Sequence, residues 1–295
     1  MTLNDDQRIE LREVTQIFRG RAFRQIGGQL VAVDHVSFTL TAEPPHIVNL
    51  VGESGSGKST IARIILGLQR PTSGSVTYRG KDIYHMSSAE FRQYRKEVQA
   101  VFQDPYGIFN PFYPVDRVLW TAMRRFKLAR NPEEAQARIE EALVAVGLHP
   151  TDVLGRYPHQ ISGGQRQRMM LARVYMLRPA FIIADEPVSM LDAAVRVLFL
   201  NILLDFKQKY GMTTLFITHD LSTAYYVGGD ILVLSKGKVV EQGDTNRVLL
   251  EPQHPYTRML LDSLPHPDPD QRWRGRLETV DIDEEEVNVL PATHS

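Results

Sequence analysis

The sequence predicts an α/β fold with a mostly parallel sheet at its core, an antiparallel β subdomain near the N-terminus and a helical insertion. Three observations carry this. Residues 47–51 (IVNLV), 181–184 (FIIA) and 213–218 (TTLFIT) are short continuous apolar runs, the pattern of strands buried on both faces. Helical stretches lie between strands, so the connections are crossovers and the pairing is parallel. Residues 8–18 and 33–40 differ: apolar Val33, Val36, Phe38 and Leu40 are interspersed with polar residues, as in an antiparallel flap.

The remaining elements follow in order. A glycine loop after residue 51 leads into a helical pattern from Ile61 to Leu68 (IARIILGL). Residues 98–103 (VQAVFQ) read as another strand. Residues 105–160 break the alternation with a Pro/Gly/aromatic loop (104–114, DPYGIFNPFYP) and a helix over Pro132–Gly147 that Asn131 caps. A helix over Ala193–Tyr210 presents Val197, Leu200, Leu204 and Phe206, and residues 231–235 (ILVLS) add a further strand. The expected organisation is one domain over 1–264, with the insertion at about 105–175, and an acidic extension over 265–295.

Composition bounds the function. The chain of 295 residues has net charge −1, 43% hydrophobic and 23% charged residues, the balance of a soluble globular protein. Residues 265–295 hold eight acids and three bases, leaving +4 for the rest. That is no footprint of a dedicated nucleic-acid binder. The absence of cysteine excludes disulfides, zinc fingers and thiolate-held iron–sulfur clusters. No stretch approaches the roughly 20 apolar residues of a membrane span, and the opening residues lack the pattern of a signal peptide.

Gly52, Glu53, Ser54, Gly55, Ser56, Gly57, Lys58 and Ser59 fit G-x-x-x-x-G-K-[ST] between a predicted strand and helix. Glycines let successive backbone N–H groups turn inward as a nest for phosphate oxygens. The helix start, which includes Thr60, aims its positive dipole end at the same anion. Lys58 neutralises β/γ-phosphate charge, and the Ser59 hydroxyl ligates Mg²⁺. A second element agrees: the apolar strand over residues 181–185 ends in Asp185, suited to orienting Mg²⁺, and Glu186 follows, one residue further out, placed to polarise an attacking water.

A phosphate loop alone leaves kinases, GTPases and motors open, although no guanine-reading Asn-Lys-x-Asp element is present. Ile161-Ser162-Gly163-Gly164-Gln165, standing before a helical segment and 23 residues ahead of Asp185 when counted from Ser162, closely resembles the signature of ATP-binding cassette (ABC) ATPases. That resemblance implies the ABC type of phosphate-loop fold, and two cassettes packed head to tail with each ATP between one phosphate loop and the partner's signature. It also implies roles for other residues. Gln103 in VFQDP matches the Q-loop, which contacts Mg²⁺ and the attacking water. Ser189-Met190-Leu191-Asp192 matches the D-loop, with Met190 where alanine is more usual. His219 in ITHD matches the switch histidine that bonds the γ-phosphate. An aromatic residue upstream, Phe18 or Phe23, is expected on the adenine.

The match spans about residues 8–264. Tyr157-Pro-His-Gln-Ile-Ser-Gly-Gly-Gln-Arg-Gln-Arg168 and His254-Pro-Tyr-Thr257 are similar to the oligopeptide/dipeptide branch of ABC importers, and Asp185-Glu-Pro-Val-Ser189 to the second of its two paired ATPase subunits. In that branch an iron–sulfur-binding cysteine segment often follows His-Pro-Tyr; this chain has no cysteine for it. The resemblance implies an ATP- and Mg²⁺-dependent ATPase, peripheral on the cytoplasmic face of the cell membrane. Its implied partners are a second ABC ATPase subunit (a paralogue or a second copy), two transmembrane permease subunits and an extracytoplasmic solute-binding protein, with no nucleic acid. Two readings compete with import: a non-catalytic cassette of an asymmetric pair, and a soluble ABC ATPase acting on nucleic acid or ribosomes. Filled catalytic positions oppose the first; a single cassette and modest positive charge oppose the second.

Overall fold

A computed structural model describes residues 7–20, 28–103 and 109–263. The chain divides into two units, residues 1–261 and 262–295; the first is described below, and of the second only Asp262 and Ser263 fall among the described residues. Strands β1 (Arg8–Arg19) and β2 (Gln29–Thr41) pair antiparallel. With β4 (Ser73–Tyr78) and β5 (Lys81–Asp82) they form a four-stranded antiparallel sheet in the order β2-β1-β4-β5. Between them in sequence come β3 (Ile47–Val51) and helix α1 (Lys58–Ile65). Helix α2 (Ser88–Glu97) opens on a capping box in which Ser87 and Glu90 satisfy each other's amides. It leads into β6 (Val98–Phe102).

The insertion holds α3 (Arg117–Phe126), α4 (Pro132–Ala145), α5 (Pro150–Val153) and α6 (Gly163–Leu177). The Asn131 side chain accepts the Glu134 amide at 2.7 Å, so the cap expected there forms. The chain then runs through β7 (Phe181–Asp185), α7 (Ala193–Tyr210), β8 (Thr213–Thr218), α8 (Leu221–Val227), β9 (Asp230–Ser235), β10 (Lys238–Asp244), α9 (Thr245–Leu250) and α10 (Pro255–Asp262). Six strands form the second sheet, β10-β9-β3-β8-β7-β6. All its pairs are parallel except β10 with β9.

Alternating side chains on the parallel strands feed two cores. Phe181, Ile183, Leu215 and Ile217 pack with α1 and the antiparallel sheet. Ile182, Ala184 and Phe216 pack on the other face with α7 and the helical insertion. Predicted helix ends need two corrections. Helix α1 stops at Ile65 because Gly67 takes φ +66, and Leu68 is left 60% exposed. Helix α4 stops at Ala145, just before Gly147 at φ +68. Both are left-handed glycines just past a helix end, where the missing Cβ makes this conformation cheap. Three polar edge or near-edge strands, β4, β5 and β10, carried no apolar run by which to read them.

Candidate active site

Register gathers the predicted residues. In the parallel sheet Val51 pairs with Thr218, Asp185 with Ile217 and Phe102 with Asp185. The strands thus end together, and Gly52, Gln103, Glu186 and His219 step off one carboxyl edge, where open α/β sheets bind ligands.

The loop after β3 is built by glycine. Gly57 has φ +112, and a Cβ there would lie 2.2 Å from the Ala32 carbonyl oxygen. Gly52 is as tight, 2.1 Å from the Leu234 oxygen, whereas a Cβ on Gly55, at φ +82, meets nothing within 4 Å. The first two therefore admit neighbouring backbone, and Gly55 keeps the loop's open side clear. Glu53, Ser54 and Gly55 are exposed; Ser56, Gly57 and Lys58 are buried at the helix start, and Thr60 is half-buried. Lys58 donates from Nζ to the carbonyls of Gly52 (2.7 Å) and Glu53 (2.8 Å). Burial pushes its pKa down, and the carboxylates of Glu186, Asp185 and Glu53 act against that.

Ser59 Oγ donates to Asp185 Oδ1 at 3.1 Å. Burial raises the Asp185 pKa despite that bond and the nearby Arg63 and Lys58, and Glu186 adds to the rise. Hydroxyl and carboxylate oxygens side by side are hard donors that fit Mg²⁺, which takes few protein ligands and leaves the rest to water and phosphate. Among the described residues no group of three His, Cys, Asp or Glu side chains is arranged to hold a metal alone. Glu186 sits at φ +47, a left-handed conformation that costs a non-glycine residue energy. Its amide donates to the Ile217 carbonyl at 2.9 Å, and its carboxylate Oε2 lies 3.1 Å from His219 Nδ1.

Ser162 caps α6: its hydroxyl accepts the Gln165 amide at 3.1 Å while Gln165 Oε1 accepts the Ser162 amide at 2.8 Å. A Cβ on Gly164 would lie 2.7 Å from Val195 Cγ1, so the signature helix packs closely on the first turn of α7. Gly163, beside it, opens α6. Asp192 caps α7, accepting the Val195 amide at 2.9 Å. Met190 before it is 60% exposed. Phe18 pairs with Leu30, two residues along β2 from the Ala32 whose carbonyl abuts Gly57; Phe23 lies outside the described residues. Residues 104–108 of the aromatic loop do too, although Phe112 beyond them is 83% exposed.

Sequence reading missed three connecting residues. Gln167 of α6, 1% exposed, donates from Nε2 to the Phe102 carbonyl (3.2 Å) and the Pro187 carbonyl (2.8 Å). It braces the signature helix against the residues next to Gln103 and Glu186. Arg196 on α7 bonds Asp220 at 3.1 Å and the Leu191 carbonyl at 3.4 Å, tying the segment before Asp192 to the loop that carries His219. Tyr256 on α10 accepts the Glu53 amide at 3.1 Å. Tyr256 and Gln167 had a signal, as parts of His-Pro-Tyr and of the quoted segment Tyr157–Arg168; Arg196 had none.

Comparisons with known proteins give the family. Residues 33–189 match the ABC transporter family, and residues 240–289 match the oligopeptide/dipeptide transporter C-terminal region. The chain is 39% identical over 270 residues to the oligopeptide transport ATP-binding protein OppF of Streptococcus mutans, covering 91% of this chain and 85% of that protein. It is 38% identical over 265 residues to AppF of Bacillus subtilis, another oligopeptide transport ATP-binding protein, covering 89% and 79%. A solved dimeric ATP-binding cassette in a post-hydrolysis state with ADP and phosphate aligns with TM-score 0.68 and 27% identity, over 80% of this chain and 98% of that one. The chain therefore belongs to the ABC transporter family, as one of its ATP-binding cassettes.

Proposed function

We propose that this chain is the ATP-hydrolysing subunit that powers peptide import through a membrane permease. The observation that carries the chemistry is the shared carboxyl edge, where Lys58, the Ser59–Asp185 pair and the Glu186–His219 pair meet. ATP phosphates enter the nest from Gly52 to Thr60, and Lys58 turns from loop carbonyls to the β/γ-phosphates. Phe18 stacks on the adenine. Ser59, Asp185 and Gln103 would hold Mg²⁺, which would supply charge neutralisation on the phosphates. Glu186 takes a proton from the attacking water as its oxygen bonds the γ-phosphorus and the bond to the β,γ-bridging oxygen breaks. His219 and Lys58 meet the charge that develops.

In this reading Ser162, Gly163, Gly164 and Gln165 serve the ATP of a second cassette, and Asp192 lies at the same junction. The dimeric cassette with ADP and phosphate supports that pairing. The names of the relatives, oligopeptide transport ATP-binding proteins, support peptide as cargo; in this reading the chain works at the cytoplasmic face, with permease subunits and an extracytoplasmic solute-binding protein in the full complex. No helix of the described residues is long and apolar enough to cross a membrane, and in this reading the motion is passed to the permease. A cavity of about 480 Å³ between α2, β6, α3 and α6, lined by Leu68, Phe91, Val98 and Phe126 and by Phe102, the residue before Gln103, suits that contact. The cassette domain is assigned to 1–264 with the insertion at about 105–175; the C-terminal family match runs into the acidic extension over 265–295. The test is the ATPase rate of the intact complex in liposomes. Peptide-loaded binding protein should stimulate it; stimulation by oligosaccharide or nickel and not by peptide would overturn the cargo.

A further inference from the structure

The His-Pro-Tyr segment ends at the phosphate loop. Tyr256 Oη accepts the backbone N–H of Glu53 at 3.1 Å. The carbonyl of that same Glu53 receives Lys58 Nζ at 2.8 Å and the Ser56 amide at 3.2 Å. Tyr256 thus holds, from outside, the residue that holds Lys58 from inside. The register explains its reach. Glu241 of β10 pairs with Val233, and Val233 pairs with Val51, the last residue before Gly52. The Glu241 carboxylate accepts the amides of Gln253 (2.7 Å) and His254 (3.0 Å), and His254 Nδ1 accepts the Tyr256 amide at 3.1 Å. Helix α10 is therefore pinned to the same row of the sheet that launches the loop. Thr257, 1% exposed, seats the helix next to the tyrosine.

We infer that Tyr256 is a positioning residue for the phosphate loop: its hydroxyl keeps the Glu53 peptide in the orientation in which the nest is ready for ATP. The inference rests on the ATP-site reading above and adds a role for the C-terminal region, whose family match begins at residue 240. Without the hydroxyl the loop samples orientations that do not bind, and apparent affinity falls by the fraction that stays competent. Bound phosphates restore the nest, so the loss shows in affinity more than in turnover. A fold-wide defect would instead lower the active fraction, and with it kcat, at unchanged KM.

The test compares wild type, Tyr256→Phe and Lys58→Ala in the full-length chain for binding of a fluorescent ATP analogue, and wild type and Tyr256→Phe in the assembled ATPase pair for kcat and KM. Loss of one partly exposed hydrogen bond predicts a rise of about three- to tenfold in Kd and KM for Tyr256→Phe, exceeding any fall in kcat. Glu241→Ala, which frees the start of α10, should shift Kd the same way. Unchanged Kd in Tyr256→Phe, or a fall in kcat alone, overturns the inference while leaving the ATP site standing. A wild-type chain that binds no better than Lys58→Ala removes the ATP-site reading, and this inference with it.

Discussion

Gln167 offers the sharpest mutational test of how the motifs are held together. Its Nε2 makes two bonds, at 2.8 Å to the buried Pro187 carbonyl and at 3.2 Å to the half-buried Phe102 carbonyl, while its Oε1 has no partner. Gln167→Leu leaves the first acceptor stranded, at about 1–3 kcal/mol, and the second partly hydrated, at about 0.5–1 kcal/mol. Removing the unpartnered Oε1 returns about 1 kcal/mol. The net loss is about 0.5–3 kcal/mol, or roughly 1–12 °C in Tm for a domain of this size. The functional loss should be larger, because the freed carbonyls adjoin Gln103 and Glu186, and a displacement near 1 Å at reacting groups can cost about a hundredfold. We expect kcat of the assembled pair to fall at least about tenfold, with Kd for ATP much less affected, since the phosphate loop does not touch this brace. Gln167→Glu should be worse than the leucine variant, because it turns a carboxylate toward two carbonyls. Thermal melts and steady-state ATPase assays decide. A Gln167→Leu protein with wild-type Tm and kcat would refute the reasoning.

Other substitutions test the site piece by piece. Gly57→Ala places a Cβ 2.2 Å from the Ala32 oxygen, a backbone clash that should cost about 1–3 kcal/mol and abolish measurable ATP binding by calorimetry. Saturating MgATP at about 100 times Kd should stabilise wild type by about 2.7 kcal/mol in thermal melts, and Lys58→Ala by less than about 1 kcal/mol; EDTA should remove most of the wild-type gain. Arg196→Ala breaks a partly exposed ion pair with Asp220, so stability should change by less than about 1 kcal/mol. Because Arg196 joins the segment before Asp192 to the loop that carries His219, kcat should still fall several-fold in the ATPase assay.

What was legible in the sequence was local. The phosphate loop, the apolar run ending in Asp185, and the helix over Ala193–Tyr210, whose observed ends coincide with the expected ones, declare themselves within a few residues. Glycine placement misled where one residue served two patterns: Gly67 lies inside an apolar helical spacing, yet its left-handed φ ends the helix and leaves no room for a Cβ beside Phe91. The polar strand β10 (KVVEQGD) forms because an edge strand needs one paired neighbour and no buried face. The braces were illegible for a different reason. Gln167 meets Phe102 across 65 residues, and Tyr256 meets Glu53 across 203; no sequence period marks a hydrogen bond to a distant carbonyl or amide. The gathering of Gln103, Glu186 and His219 at one edge likewise follows from register, which is a property of the folded sheet.

The central claim is that Glu186, at the end of β7, activates water for hydrolysis in a cassette that binds ATP through the loop after β3. Its most direct test is a paired measurement on Glu186→Gln in the assembled complex: ATP affinity by equilibrium binding, and ATP turnover at steady state. Wild-type-like affinity with turnover reduced at least about a hundredfold is expected for loss of a general base. Undiminished turnover in that variant would contradict the claim.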